Sequence, residues 1–255
     1  ETVRNYYDLE PVNTALREVH FPTGTEHLME AKKRIIFDEF FRFFSALELV
    51  KDREEQALNH YIIPMEEPVK RFVENLPYPL TGAQKKVLNE IRQDFSDTMA
   101  MNRLLQGDVG SGKTIVAMTA MYAAVLAGYQ AALMAPTEVL AEQHYQNFVK
   151  LLSPLGITVA LLTGSTKAKE KREIKAACAS GEIQILIGTH AVIQDDVAFD
   201  NLAFIVTDEQ HRFGVKQRDA FMKKGKDPHV LVMSATPIPR TLGIILYRDL
   251  DVSIM

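Results

Sequence analysis

An eight-residue segment near the middle of the chain constrains fold and chemistry more than any other. It reads Gly107-Asp-Val-Gly-Ser-Gly-Lys-Thr114 and matches the phosphate-loop pattern G-x-x-x-x-G-K-[ST] at every fixed position. Glycines let backbone N–H groups turn toward phosphate oxygens, and a helix that begins after such a loop adds partial positive charge. The apolar character of 101–105 predicts a strand before the loop, and that of 115–126 a helix after it. We therefore expect a nucleotide phosphate site formed by Gly107, Asp108, Val109, Gly110, Ser111, Gly112, Lys113 and Thr114.

Two side chains of this segment have distinct expected roles. Lys113 can reach the β- and γ-phosphates of a nucleotide, and the Thr114 hydroxyl can bind Mg²⁺. Nucleotide and Mg²⁺ are therefore the expected cofactors.

Composition excludes several other classes of protein. The chain has 255 residues with 47% hydrophobic content, which suffices for a buried core and argues against disorder. Its net charge of −4 gives no global basic character, so any contact with nucleic acid must be a local surface. A single cysteine, Cys178, excludes an internal disulfide and a cysteine-based metal site. We expect a reducing, cytoplasmic environment.

One uncharged stretch, 115–137, is long enough to suggest a membrane span. It is interrupted by Gly128-Tyr-Gln130 and follows the phosphate loop directly. A buried helix followed by a buried strand is the better interpretation.

The chain divides into an amino-terminal arm at 1–60 and an α/β domain at 61–255. Apolar residues at helical spacing predict a helix over 26–58, which includes an aromatic patch from Phe37 to Phe44 that we expect to pack against a neighbouring domain. Residues 59–80 contain four prolines and read as a connector with short structured pieces.

From Thr81 onward, helices and short apolar strands alternate. This pattern predicts a doubly wound α/β fold with a parallel sheet, with ligands at the carboxyl ends of its strands. The predicted helices are 83–95, 113–127, 138–152 and 167–179, and the predicted strands are 101–105, 130–134, 157–162, 183–187, 202–207 and 229–233.

An acidic pair, Asp208 and Glu209, ends the strand at 202–207. We expect Asp208 to hold Mg²⁺ through water, and Glu209 to orient or deprotonate an attacking water molecule. His211 follows and could be a ligand, a base or a polar coupling residue; a hydrogen-bonding role that reports nucleotide state is favoured. Ser234 and Thr236 end the next strand, where they could bridge the site to a neighbouring surface or simply cap a helix.

Several motifs in one order carry a resemblance to a known family. They are Gly107–Thr114, Ala135-Pro-Thr137, Thr163-Gly164, Gly188-Thr-His190, Asp208-Glu-Gln-His211 and Ser234-Ala-Thr236. In this order they resemble the first motor lobe of superfamily 2 helicases, which implies a RecA-like lobe. His20-Phe-Pro22, Asp208-Glu-Gln-His-Arg-Phe-Gly-Val-Lys-Gln-Arg218 and Ser234-Ala-Thr-Pro-Ile-Pro-Arg-Thr241 narrow the resemblance to the RecG family of bacterial DNA helicases.

The resemblance implies an ATP-driven motor that translocates on duplex DNA and remodels branched DNA, such as stalled forks and Holliday junctions. Gln84 would contact the adenine. Three threonines would face the DNA backbone: Thr137, Thr163 and Thr189. Contacts of this kind do not depend on the base sequence. The family's wedge domain would lie before Glu1, and its second lobe with arginine fingers after Met255. Loss of such arginines costs roughly 10³–10⁵ in rate, so the chain alone is expected to be nearly inactive.

Three other readings remain open. A transcription-repair translocase of the Mfd type has a closely similar motor, although the Asp208–Arg218 segment favours RecG. A nucleotide-gated binding module without turnover is disfavoured by Lys113, Thr114, Asp208 and Glu209. A small-molecule kinase would share the phosphate loop but would have no need of Ser234-Ala-Thr236.

Overall fold

The computed structural model describes residues 2–51, 58–208, 224–235 and 250–255. Contacts between Cα atoms divide the chain into two compact units, Glu1–Glu55 and Gln56–Met255. The boundary expected from the sequence lay at residue 60. Residues 58–63 belong to the second unit, where the Asn59 N–H donates to the Thr98 carbonyl at 2.9 Å and Leu58 forms an antiparallel bridge with Met99. The helix predicted over 26–58 therefore extended too far.

Within its described residues, the first unit contains three helices: α1 (Thr2–Tyr6), α2 (Val12–His20) and α3 (Thr25–Lys51). The α2–α3 turn is closed by Glu18, whose carboxylate accepts hydrogen bonds from the Thr23 N–H and hydroxyl at 2.8 and 2.9 Å. These hydrogen bonds lower the pKa of the Glu18 carboxyl. The aromatic patch lies along α3, where Phe37 and Phe41 stack with centroids 5.8 Å apart and Phe40, Phe41 and Phe43 are about half exposed.

The second unit is built on a seven-stranded sheet in the order β3-β4-β2-β5-β6-β1-β7. Every pair of neighbouring strands among the described residues is parallel, which confirms the predicted doubly wound α/β fold. The strands are β1 (Asn102–Gln106), β2 (Gln130–Met134), β3 (Val159–Leu162), β4 (Ile185–Gly188), β5 (Leu202–Asp208), β6 (His229–Ser234) and β7 (Asp251–Ile254). The helices are α4 (Glu67–Glu74), α5 (Gly82–Asp94), α6 (Lys113–Leu126), α7 (Glu138–Leu152) and α8 (Ala168–Ala179), with 3₁₀ turns at Ser153–Leu155 and His190–Ile193.

The uncharged stretch at 115–137 consists of α6 and β2. Residues 115–125 of α6 and every residue of β2 are buried, so the absence of charge reflects packing inside the domain. None of the helices in the described ranges combines the length and the apolar character of a membrane span.

One buried histidine, His229, lies where the 58–63 segment meets the sheet. His229, which is fully buried, accepts from the Met101 N–H at 2.9 Å through Nδ1, and its Nε2 lies 2.7 Å from the Tyr61 carbonyl oxygen. Burial lowers the pKa of His229, and the neutral ring with a proton on Nε2 satisfies both contacts. The ring therefore joins the 58–63 segment to the sheet.

The arginine of β1, Arg103, connects α5 to β1 and β7. Its guanidinium donates to both oxygens of Asp94 at 2.6 and 3.0 Å and to the Ser253 hydroxyl at 2.9 Å. Burial raises the pKa of the Asp94 carboxyl, although the guanidinium opposes this effect. The helix that carries Gln84 is thereby fixed against the strand that enters the phosphate loop.

Candidate nucleotide and nucleic-acid site

The phosphate loop lies between β1 and α6, as the sequence predicts. Gly110 and Gly112 have φ angles of 82° and 85°, in the left-handed region that glycine tolerates best. The loop begins at Gly107, whose N–H donates to the Ser234 carbonyl of the neighbouring strand at 3.2 Å. The conformation therefore depends on glycine at 110 and 112.

Two side chains of the loop are suited to bind an anion. The Lys113 ammonium donates to the Gly107 and Asp108 carbonyls at 2.6 and 2.9 Å, which holds it against the loop. The Ser111 hydroxyl is buried and has no hydrogen-bond partner among the described residues. A buried polar group without a partner is costly, and a phosphate oxygen would satisfy it.

Gln84 contacts the phosphate loop directly. Its Oε1 accepts from the Thr81 N–H at 2.8 Å in a capping box at the start of α5, and its Nε2 donates to the Ser111 carbonyl at 2.9 Å. A Cβ added at Gly112 would lie 2.3 Å from Gln84 Nε2. The structure thus gives Gln84 a role in supporting the loop, which the sequence analysis did not predict.

Asp208 is at the carboxyl end of β5, with β6 between it and the phosphate-loop strand. In register, Asp208 pairs with Met233, and Ser234 pairs with Gln106. Because neighbouring strands lie about 4.8 Å apart, Asp208 is separated from the end of β1 by about 10 Å. Sequence reasoning missed the partner of Asp208, which is His144 of α7, with Nε2 2.9 Å from Oδ2.

Some predicted site residues lie outside the described residues. These are Glu209, His211 and Thr236. Ser234, the last residue of β6, is described and is 2% exposed.

The residues Thr137, Thr163 and Thr189 follow β2, β3 and β4, respectively, at the same edge of the sheet. Thr137 caps α7 by accepting from the Leu140 N–H at 3.3 Å. The Thr163 hydroxyl is buried and contacts the hydroxyls of Ser165 and Thr166, while Gly164 and Ser165 are exposed. The structure therefore brings the three threonines to one edge, but turns the Thr163 hydroxyl into its own loop.

Two charged side chains hold the 163–166 loop, and sequence reasoning found neither contact. The Glu138 carboxylate accepts from the Ser165 hydroxyl at 2.7 Å and from its N–H at 3.0 Å. These hydrogen bonds lower the pKa of the Glu138 carboxyl. The Lys171 ammonium donates to the Gly164 carbonyl at 2.8 Å. Elsewhere on α8, the exposed side chains of Lys169 and Glu173 lie 3.8 Å apart, as is typical of a solvated helix face.

The edge of the sheet thus has two halves. The phosphate-loop half comprises the carboxyl ends of β5, β6 and β1, and the threonine half comprises those of β3, β4 and β2.

Within the described ranges, no three His, Cys, Asp or Glu side chains converge on one point. The hard oxygen donors of Thr114 and Asp208 suit Mg²⁺, which normally takes its other ligands from water and nucleotide phosphates.

A parallel sheet with a phosphate loop after one strand and an acidic residue ending another defines a P-loop nucleotide-binding lobe. Comparison with known families refines this class, because residues 81–244 match the DEAD/DEAH box helicase family. The chain belongs to that family.

Individual relatives are similar over nearly the whole chain. The ATP-dependent DNA helicase RecG of Synechocystis sp. is 50% identical over 99% of this chain and 31% of its own length. RecG of Bacillus subtilis is 49% identical over 100% of this chain and 38% of its own length. A structure of RecG bound to a three-way DNA junction superposes with a TM-score of 0.80 at 44% identity, covering 100% of this chain and 34% of that chain. The chain therefore spans about a third of these relatives, and the predicted resemblance to RecG is confirmed.

Proposed function

We propose that this chain is the first motor lobe of an ATP-dependent double-stranded DNA translocase that remodels branched DNA, such as stalled forks and Holliday junctions. One observation carries the proposal. The chain aligns along its whole length, at 44% identity, with a protein whose structure holds a three-way DNA junction. The same edge of its sheet carries both the phosphate loop and the loops that contain Thr137, Thr163 and Thr189.

The phosphate-loop half would bind ATP and Mg²⁺. Backbone N–H groups of the loop after Gly107 and the Ser111 hydroxyl would surround the phosphates, while Lys113 would leave its two carbonyl partners to contact the β- and γ-phosphates. Thr114 and Asp208 would hold Mg²⁺, which neutralises charge on the phosphates when bound. Glu209 would orient the attacking water.

Gln84 would contact both the adenine of ATP and the phosphate loop. One N–H of its amide is donated to the Ser111 carbonyl, and we assign the second N–H to the adenine. The Gln84 side chain would then couple binding of the adenine to the conformation of the phosphate loop. His211, Ser234 and Thr236 would couple nucleotide state to neighbouring surfaces.

The threonine half would bind the DNA backbone. Thr137 and Thr189 are partly exposed after their strands. At the third loop the exposed Gly164–Ser165 segment, held by Glu138, would meet the DNA in place of the buried Thr163 hydroxyl. Contacts of this kind position a duplex without reading its sequence, as a motor that moves along any DNA requires.

Further parts of a longer protein would complete the motor. We propose that a wedge domain recognises the branch and that a second lobe supplies arginines to the γ-phosphate. Such arginines contribute roughly 10³–10⁵ to the rate, so the 255-residue chain alone is expected to hydrolyse ATP slower by about that factor than the full-length protein.

The test is ATP hydrolysis by the full-length protein with forked DNA, with linear duplex and without DNA. We expect strong stimulation by the fork, and loss of at least about 100-fold in rate in Lys113→Ala, because the main phosphate contact is removed. Lys169→Ala is the matched control, since Lys169 has 85% of its side chain exposed.

A rate that does not respond to DNA would contradict the translocase proposal. Equal rates for Lys113→Ala and Lys169→Ala would contradict the assignment of the ATP site.

A further inference from the structure

The inner face of α7 contains one polar residue. Its buried residues are Ala141, His144, Phe148 and Leu152, at helical spacing, and only His144 among them can form hydrogen bonds with its side chain. An imidazole buried on an otherwise apolar face needs a polar partner to offset the loss of its water contacts. The identity of that partner indicates what the residue does.

The partner is Asp208, the carboxylate to which we assign Mg²⁺. The His144 Nε2 and Asp208 Oδ2 atoms are 2.9 Å apart, and the two side chains are 9% and 13% exposed. A hydrogen bond in such a buried place restricts the carboxylate to one orientation. The contact uses Oδ2 of the carboxylate.

The helix that carries His144 is itself held firmly. Its first turn is capped by Thr137, and Glu138 is hydrogen-bonded to Ser165 at 2.7 and 3.0 Å. His144 lies six residues after Glu138, about 9 Å along the helix, and Phe148 packs in the core one turn further on. The imidazole therefore lies between the capped first turn of the helix and a residue that is packed in the core.

We propose that His144 is a positioning residue that orients Asp208 toward Mg²⁺ and so sets the affinity for the metal–nucleotide complex. This inference rests on the proposed function, because it takes Asp208 as the metal carboxylate. Hydrogen-bond partners of metal-binding carboxylates typically change metal affinity by about 10–100-fold when removed.

The test is a Mg²⁺ titration of the binding of a fluorescent ATP analogue to the full-length protein, without DNA. His144→Phe keeps a ring but removes the hydrogen bond, and the half-saturating Mg²⁺ concentration is expected to rise about tenfold. His144→Gln places an amide N–H at a similar reach and is expected to restore a value within about threefold of wild type. Tyr145→Phe is the matched control, because it removes a polar group from the neighbouring ring of the same helix.

Asp208→Asn separates this inference from the proposed function. If Asp208→Asn leaves the Mg²⁺ dependence unchanged, the assignment of Asp208 to the metal is overturned. If Asp208→Asn raises the half-saturating Mg²⁺ and His144→Phe does not, only the role of His144 is overturned. A His144→Gln variant as impaired as His144→Phe would also overturn it. If His144→Phe does not fold, His144→Asn, a donor too short to reach Asp208, is expected to show the same tenfold rise, and its absence would overturn the proposal.

Discussion

The two halves of the sheet edge are held by different kinds of contact. In the phosphate-loop half the side chains of the His144–Asp208 pair are 9% and 13% exposed, and the bond from Gly107 to the Ser234 carbonyl joins two buried residues. In the threonine half the 163–166 loop has partly buried contacts of the Thr163 hydroxyl within it, but exposed side chains, Glu138 and Lys171, hold it to the neighbouring helices. Buried hydrogen bonds fix geometry more firmly than exposed ones, with which water and salt compete.

This difference fits the demands that we propose for each half. Phosphoryl transfer depends on accurate placement of charges around the phosphates. Contact with a DNA backbone that moves past the protein requires loops that can be held and released. Substitutions that disturb one half and spare the other would sharpen this comparison.

The largest effect is expected at Gly112, in the phosphate-loop half. Gly112→Ala would place a Cβ 2.3 Å from Gln84 Nε2 at a φ of 85°, so the bond from Gln84 to the loop must break. We expect the affinity for ATP to fall at least about tenfold, the equivalent of losing one well-placed hydrogen bond. Titration with a fluorescent ATP analogue measures this.

Gly128→Ala is the matched control for Gly112→Ala. Gly128 has a φ of 84°, and nothing lies within 4 Å of the added Cβ. Both variants carry the left-handed penalty of about 1–2 kcal/mol, so their thermal stabilities should fall by similar amounts. Equal ATP affinities in the two variants would show that the Gln84 contact does not matter.

A smaller effect is expected at Glu138, in the threonine half. Glu138→Gln weakens the two hydrogen bonds from Ser165, because a neutral amide oxygen is a poorer acceptor than a carboxylate. Since these bonds are exposed, we expect the affinity of the full-length protein for branched DNA to fall only about two- to fivefold. Fluorescence anisotropy with a labelled junction measures it.

Glu142→Gln makes the same chemical change one turn further along α7. Its carboxylate contacts only the Gln146 amide, an exposed contact 3.0 Å long, in the part of the chain that the structure describes. DNA affinity should match that of the unmodified protein. A loss at Glu142 as large as that at Glu138 would indicate a general effect of charge on DNA binding.

Much of the fold follows from local sequence pattern. The bounds of β2 and α7 agree with the predicted 130–134 and 138–152, because a run of buried residues and a capping threonine mark them clearly. β7 was missed, since its four residues Asp251–Ile254 are largely exposed and lack the apolar run of an inner strand. The short helix α4 was not identified, because Pro68 in its first turn reads as a breaker as readily as a helix start.

The site was predictable where a motif carries it and not where tertiary contact creates it. The phosphate loop was found because its spacing encodes the backbone it needs. His144 was missed because its partner lies 64 residues away in sequence. Its position on the apolar stripe with Ala141 and Phe148 was a usable signal, because a polar residue on such a stripe requires a buried partner.

The proposal that the phosphate-loop half binds ATP and the threonine half binds DNA can be tested most directly by site-specific photo-crosslinking. Val139, beside Thr137, is 77% exposed, and Val109, at the tip of the phosphate loop, is 88% exposed. A benzophenone amino acid would replace each valine in turn in the full-length protein bound to a radiolabelled three-way junction. The account predicts crosslinks to DNA from position 139 and none from position 109. Equal crosslinking from both positions, or crosslinking from 109 alone, would contradict it.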